Sequence, residues 1–507
     1  MLSFSILKND YKKIFFIFLI SFLVEMISFT SFNFDIINIS LFLFLGLLMV
    51  TLSFINLKWG AYLLLSEIFL NSMGYIFYLE NGGFKISLRI AFWLIFMAVF
   101  LGKFIFLFFK NKTELLNFFK NFVFAKNFIF LAFFLIFSFI FGLINNGFSD
   151  AFFDFNSWLF LILILPFSYF LYFSDKNEND VFWKNTFLIF FSITLYMIFK
   201  SLLFLFLFSH DLRPIISDLY SWSRLYSLGE ITNMNNNFYR IFFQNQIFAF
   251  LFFYLSFIPL INKKEKNNKW LLIFPTLSLS VIILSFSRSF WFGFVAAFLI
   301  LLFLVWHKFS LKKLFKTLFL TLSSFILAIL LIFIIVKFPW PSSQSSFNIE
   351  SLSERANITS NESAISSRWA LLGAMKVEIK SNFILGKGFG SRIEYISSDP
   401  RVLQSSPDGK YSTYAFEWGW LDILLKMGVL GFLSYLYLIL LFCKKNILAF
   451  YSSCNYFYLI ILLSILSLSA INFFTPYLNH PLGISLLILL ILFFDHLNVQ
   501  KNKVCLK

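Results

Sequence analysis

Apolar runs, each close to twenty residues long and each closed by charges or turn formers, recur from one end of this chain to the other. A helix of about 20 apolar residues covers the roughly 30 Å of hydrocarbon in a bilayer, so each run predicts a membrane-crossing helix. Fourteen emerge, near 14–31, 36–56, 59–79, 90–109, 127–144, 157–173, 185–206, 241–261, 270–286, 290–306, 317–337, 419–442, 448–471 and 481–495. The pair flanking Arg288 also reads as one broken segment, so the pattern predicts an all-α polytopic membrane protein with about 12–14 transmembrane helices. Glu25 interrupts the first run and no small-residue cleavage site follows, which marks that run as a retained anchor.

Two polar stretches exceed ordinary connections and divide the chain. N-terminal helices occupy 1–206, a loop 207–240, a second group of helices 241–337, a large loop 338–418, and C-terminal helices with a short tail 419–507. The large loop opens on a Pro/Ser linker, PWPSSQSSFN. Beyond Asn361 it places Ile365, Trp369, Leu372, Met375 and Ile379 at helical spacing, which predicts an amphipathic helix over Ser363 to Lys380. The fold class is therefore a helical membrane bundle with a helical lid between two late spans. Gly386, Gly388 and Gly390 in LGKGFG supply backbone freedom after that helix.

Composition agrees: of 507 residues 60% are hydrophobic and only 13% charged, which excludes a soluble domain. The 81 Phe, with abundant Ile, Asn and Lys, resemble the drift of an AT-rich genome, so the aromatic content of 22% is no binding surface in itself. Three Cys exclude a disulfide scaffold, and four scattered His give no metal signature. No phosphate-binding GxxxxGK[ST], no GxGxxG after a strand and no HExxH is present. Metal and cofactor are accordingly expected to be none.

The net charge of +16 changes the picture more. Positive loops resist translocation, and with both termini inside, the inner segments hold lysine alone, including Lys263, Lys264, Lys266, Lys308, Lys312 and Lys313. The excess is spread over short segments, as orientation signals are, so no nucleic-acid partner is expected. All nine arginines fall outside: Arg89, Arg213, Arg224, Arg240, Arg288, Arg355, Arg368, Arg392 and Arg401. Arg holds phosphate or carboxylate through two parallel hydrogen bonds and stays ionised, so an outer site for an anionic ligand is one reading, and ordinary surface solvation the other.

Two arginines sit at span ends and a third at the start of the loop helix. Arg240 leads into a span with Gln244, Asn245 and Gln246, an unusual polar cluster whose alternative is helix packing by buried amides. Arg288 lies between two apolar runs, where charge costs about 2.5–3.5 kcal/mol at a helix centre, so it faces a polar cavity or lipid headgroups. Arg368 begins the amphipathic helix, and Glu417 and Asp422 open the span after the large loop. A carboxylate there is suited to take a proton from a hydroxyl, or to pair with an outer Arg. Glu25, Glu67, Lys103, Lys200 and Lys426 lie in or near spans and are expected to form interhelical pairs. His210 and His480 are outer and suited to base chemistry near neutral pH, though a lone loop His is more often solvated. Cys443, Cys454 and Cys505 read as reduced bystanders.

In this order, these residues resemble the O-antigen ligase and O-antigen polymerase family of bacterial polysaccharide-assembly membrane proteins, over about 231 to 437. RIFFQNQIFAF from Arg240, SFSRSF around Arg288, SSRWALLGAMKVEIKSNFILGKGFG from Arg368 to the glycines, and EWGWLDILLKMGVLGFL with Gly428 and Gly431 carry the resemblance. Counting back from Gly428, the ligase histidine position holds Glu417 and its Asn partner position holds Trp418, which favours polymerase over ligase. The resemblance implies a metal-independent glycosyltransferase of the inner membrane, acting on the periplasmic face. An undecaprenyl-diphosphate-linked glycan would pass to a sugar hydroxyl of another lipid-linked repeat. Glu417 and Arg288 are then the expected catalytic residues, and Arg240, Arg368, Gln244, Asn245, Trp369 and Asp422 the expected substrate-binding ones. Membrane lipids and a chain-length regulator are the other expected partners. A ligase acting on lipid A core or protein, a lipid-linked oligosaccharide flippase or other transporter, and a non-catalytic regulator of chain length are the alternatives.

Overall fold

A computed structural model describes residues 10–82, 84–121, 124–213, 215–234, 238–261, 269–308, 310–341, 363–453 and 455–504. Most of the Pro/Ser linker, and Arg355 with it, lies outside them. Helix makes up about 79% and strand 5%, which settles the all-α class. Each of the fourteen apolar runs contains a helix. Among the described residues eleven helices are long and apolar enough to cross a membrane, and Ile273–Leu284 and Tyr456–Ile471 are shorter apolar ones.

Three boundaries differ from the sequence pattern. The run 59–79 is helical only over Leu57–Leu70, because Asn71, Ser72 and Gly74 at φ 93° turn the chain. The run 157–173 extends back to Phe148 and passes through a tighter 3₁₀ stretch, Asn156–Leu163. Lys444 and Lys445 do not end their helix, which continues to Ser453. The next helix begins instead where the Asn455 side chain accepts the Phe457 N–H at 3.0 Å. Here a cap, not the pair of lysines, sets where the next helix starts.

Burial separates lipid-facing helices from interior ones. Tyr11–Ser31, Asp35–Ile55, Leu88–Lys110 and Leu311–Val336 have only 22% of their apolar windows buried, against 72% for Lys176–Ser209 and 78% for Gln244–Ile261. Apolar side chains left exposed on so many long helices are the mark of a bilayer-facing surface, and a helix satisfies its backbone groups internally in hydrocarbon. The chain is a multi-pass membrane protein.

Contacts divide the chain into two compact units. The first takes residues 1–118, 164–294 and 298–353, and the second 119–163, 295–297 and 354–507. In the first, Lys176–Ser209 is the central helix, packed against Tyr11–Ser31, Leu57–Leu70, Phe248–Ile261, Ile273–Leu284 and Leu311–Val336. Its buried charges are paired: Lys200 Nζ lies 2.6 Å from Glu25, which also accepts the Tyr196 hydroxyl at 2.9 Å. Arg89 Nε donates to Glu67 at 2.9 Å while its two terminal nitrogens donate to the carbonyls of Ser72 and Asn71. Lys103 donates to the carbonyls of Ser53 and Phe54. Arg89 is therefore a buried structural pin, and the outer-arginine set does not share one role.

In the second unit a helix broken at Gly428, Gly419–Ser453, packs against Ala125–Asn146 and Tyr456–Ile471. The amphipathic helix of the large loop spans Ser363–Ser381 and meets a hairpin, Ile393–Ile396 with Lys410–Thr413. Leu371, Met375, Ile379, Ile393, Phe416 and Leu425 form their shared core. Leu372, Met375 and Ile379 are buried as expected, but Trp369 is 58% exposed and leaves the stripe. Helical geometry explains this: the buried stripe runs through Ser367, Leu371, Met375 and Ile379, four residues apart, and Trp369, two residues after Ser367, is rotated to the far side of the helix.

Candidate functional site

In the first unit Arg240 reaches the turn that leads to Arg288. Strands Gly229–Asn233 and Tyr239–Phe243 pair antiparallel with Thr232 opposite Arg240, and this hairpin lays Arg240 over the Phe242 ring, 5.0 Å from its centroid. The Arg240 guanidinium donates to the Ser285 carbonyl at 2.7 Å, with Glu230 at 3.5 Å on its other side. Ser285 is one of the carbonyls orphaned where Ile273–Leu284 ends. The chain then turns through Phe286 at φ 46°, and Arg288 opens the next helix. Phe238 against Phe286 and Phe242 against Phe290 fasten hairpin to turn. The junction is thus two helices, not one broken span. A cation at a first helical residue opposes the helix dipole by some tenths of a kcal/mol, so Arg288 is not placed there for helix stability.

Two of the three amides behind Arg240 are committed to packing. Asn245 is wholly buried and donates to the carbonyls of Phe69 and Leu70, at 3.2 and 2.7 Å, closing the end of Leu57–Leu70. Gln246 donates to the Ser201 hydroxyl at 3.1 Å. Gln244 sits at the head of the short 3₁₀ turn leading into the helix Phe248–Ile261.

Arg368, Trp369, Glu417 and Asp422 belong to the second unit. Arg368 Nε is ion-paired and hydrogen-bonded to the Glu417 carboxylate, both side chains about half exposed. Trp418 Nε1 donates to the Arg368 carbonyl at 3.4 Å, and its ring stands 6.1 Å from Trp369 and 5.6 Å from Phe474. A carboxylate and a guanidinium beside open aromatic faces is a surface able to hold a sugar and accept its proton. Tyr395 is near enough for Glu417 to act on it: burial first, then that carboxylate, pushes its phenol above the usual range, so Tyr395 stays protonated and is a donor, not a base.

Asp422 is buried beneath this surface. Lys426, one turn on, places its ammonium 2.5 Å from Asp422, 2.6 Å from Asp154 and 3.0 Å from the Tyr414 carbonyl. Asn479 donates to Asp422 at 2.7 Å, and the Gly390 N–H donates to Asp154 at 2.7 Å. The glycine motif makes this arrangement possible. Gly428 at φ 65°, ψ −177° breaks the helix and frees the carbonyls of Leu425 and Lys426. Lys387 N–H and Gly388 N–H take them at 2.7 and 3.0 Å, while Val429 N–H turns to Phe383 at 2.8 Å. Irregular backbone beside apolar spans is tolerated only when its groups are satisfied in this way. Gly428 occupies a region open essentially to glycine, and an added Cβ would meet Gly386 N at 2.6 Å. Gly428→Ala is therefore expected to cost at least about 1–3 kcal/mol, read as a lowered melting temperature in detergent. A melting curve unchanged from wild type would show the break to be dispensable.

Asp154 and Asn479 carry no signal the sequence reading used. Asp150 and Asp154, four apart in FSDAFFDF, share one helix face in an apolar stretch, which was the available hint. Asp150 pairs bidentately with Arg392 at 2.5 and 2.9 Å, a bond that holds the Arg392 guanidinium above its usual range. His210 is buried, its ring nitrogens on the carbonyls of Phe206 and Phe338, and Cys443 is a buried free thiol. Arg401 has its side chain outside the described residues, as do Cys454 and Cys505. Among the described residues no group of three or more His, Cys, Asp or Glu is placed to hold a metal ion.

Residues 273–436 match the family model described as O-antigen ligase. A comparison with curated proteins finds no match. The matched segment contains Arg288, Arg368, Trp369, Glu417, Asp422 and Lys426, and begins after Arg240, Gln244 and Asn245. The segment that carries the paired Arg368 and Glu417 and the glycine-broken helix of this multi-pass membrane protein is thus similar to the O-antigen ligase model, a likeness consistent with an O-antigen ligase and polymerase family.

Proposed function

We propose that the protein is a polymerase of O-antigen or a related surface polysaccharide, working on the periplasmic face of the bacterial inner membrane with both termini cytoplasmic. The donor is a glycan on undecaprenyl diphosphate and the acceptor a sugar hydroxyl of a second lipid-linked repeat. The hydroxyl oxygen attacks the anomeric carbon, its proton passes to Glu417, and the bond from that carbon to the diphosphate oxygen breaks with the electron pair leaving on the lipid diphosphate. Charge develops on that diphosphate in the transition state, and fixed guanidinium groups stabilise it there more than in the ground state. Arg240 and Arg288 are suited to that part, Arg368 to orienting Glu417, and Trp369 to stacking on the sugar.

One observation carries the choice of polymerase. Where the family's ligases keep a histidine, this chain has Glu417, half exposed and held by Arg368 beside Trp369 and Trp418. The test is Arg288→Ala at unchanged protein level. Loss of a fixed donor to the leaving group typically costs about 100- to 1,000-fold, so long glycan chains should disappear from the cells. Normal chain-length ladders would remove Arg288 from the mechanism. Undecorated core alongside intact lipid-linked polymer would identify a ligase instead.

A further inference from the structure

We infer that Lys426 is a positioning residue for Glu417, acting through the segment that carries it, an inference that rests on Glu417 being the base. Lys426 is 2% exposed, and an ammonium so deeply buried needs several acceptors. It has four partners, of which only two are explained by charge. Its contacts to Asp154 and Asp422 neutralise it. Its hydrogen bond to the Tyr414 carbonyl and its place over the Phe416 ring, 5.1 Å from the centroid, instead grip the three residues that lead into Glu417. That segment lies between the end of the hairpin strand Lys410–Thr413 and the first turn of Gly419–Ser453, and regular backbone bonding does not cover it.

The grip is itself anchored from several sides. Asp154 is fixed by the Gly390 N–H of the glycine loop, and Asp422 by Asn479, which also donates to the Gly419 carbonyl at 3.0 Å. Lys426 therefore joins the helix Phe148–Phe155, the glycine loop, the broken helix and the chain before Glu417 at a single nitrogen. Breaking the helix at Gly428 lets this happen, since the glycine loop reaches the Leu425 and Lys426 carbonyls only there. With two of the three ammonium donors on Asp154 and Asp422, the third is spent on the chain just before Glu417.

Two carboxylates and one ammonium carry a net charge of −1, and the double variant Lys426→Met with Asp154→Asn keeps that charge while removing the grip. In the full-length protein in detergent, hydrogen exchange read by mass spectrometry should speed up at least about tenfold over 411–418 and stay unchanged over Ala125–Asn146. With the lipid-diphosphate-linked repeat extracted from the producing cells as substrate, kcat should fall at least about tenfold at unchanged KM. Lys426→Gln with Asp154→Asn returns an N–H donor and should recover part of both. Unchanged exchange over 411–418, or faster exchange with kcat intact, would overturn the positioning role. Glu417→Gln runs in parallel: full activity in that variant would overturn the base assignment itself, whatever Lys426 does.

Discussion

Glu417→Gln should lower kcat for glycan transfer by about 100- to 10,000-fold, the range over which a positioned general base contributes, with the protein still folded. The substitution is nearly isosteric, and its side-chain oxygen can still accept from Arg368. The ion pair it replaces is about half exposed on both sides, where such pairs contribute little to stability. What is lost is the capacity to take a proton. The assay is chain extension by purified protein with lipid-linked repeats, followed by gel or mass spectrometry. Retained extension would transfer the base role to another group. Tyr395, a phenol that Glu417 influences, is a poor successor because burial and that same carboxylate keep it protonated.

The second large effect is on stability. Lys200→Met should destabilise the protein by about 3–5 kcal/mol, because it leaves Glu25 buried and charged with only the Tyr196 hydroxyl for company. Glu25 is 1% exposed and Lys200 4%, so water cannot substitute for the missing partner. Against a total stability of about 5–15 kcal/mol, the single variant should melt well below the wild type or fail to accumulate. Adding Glu25→Gln removes the stranded charge and should restore most of the loss, since a buried pair replaced by neutral groups of similar volume is often tolerated. Thermal unfolding in detergent of both singles and the double gives the coupling. A double variant no better than Lys200→Met would show that packing, not charge, is what Lys200 supplies.

The second expectation rests on charges that the sequence made conspicuous by placing them in apolar runs. Pairing was legible for Glu25, Glu67, Lys200 and Lys426 because an isolated charge in hydrocarbon is expensive. Not every partner was legible: Asp422 stands one helical turn from Lys426, but Asp154 is 272 residues away. The arginine asymmetry was similarly legible as a set and misleading for one member. Arg89 lies outside the spans by count, yet it is spent on Glu67 and two backbone carbonyls.

By itself the sequence determined the class, the recurrence of apolar helices along the chain and the amphipathic helix of the late polar stretch. These follow from local quantities, the length of apolar runs and a 3.6-residue period, which hydrocarbon enforces segment by segment. It also placed Arg288, Arg368 and Glu417 as residues to watch. Only the tertiary structure decided that Arg368 holds Glu417, that Arg240 lies on the turn leading to Arg288, and that Asn245 closes a neighbouring helix. Such choices depend on which distant backbone groups are left without partners once helices end or break, and no window of sequence contains that information.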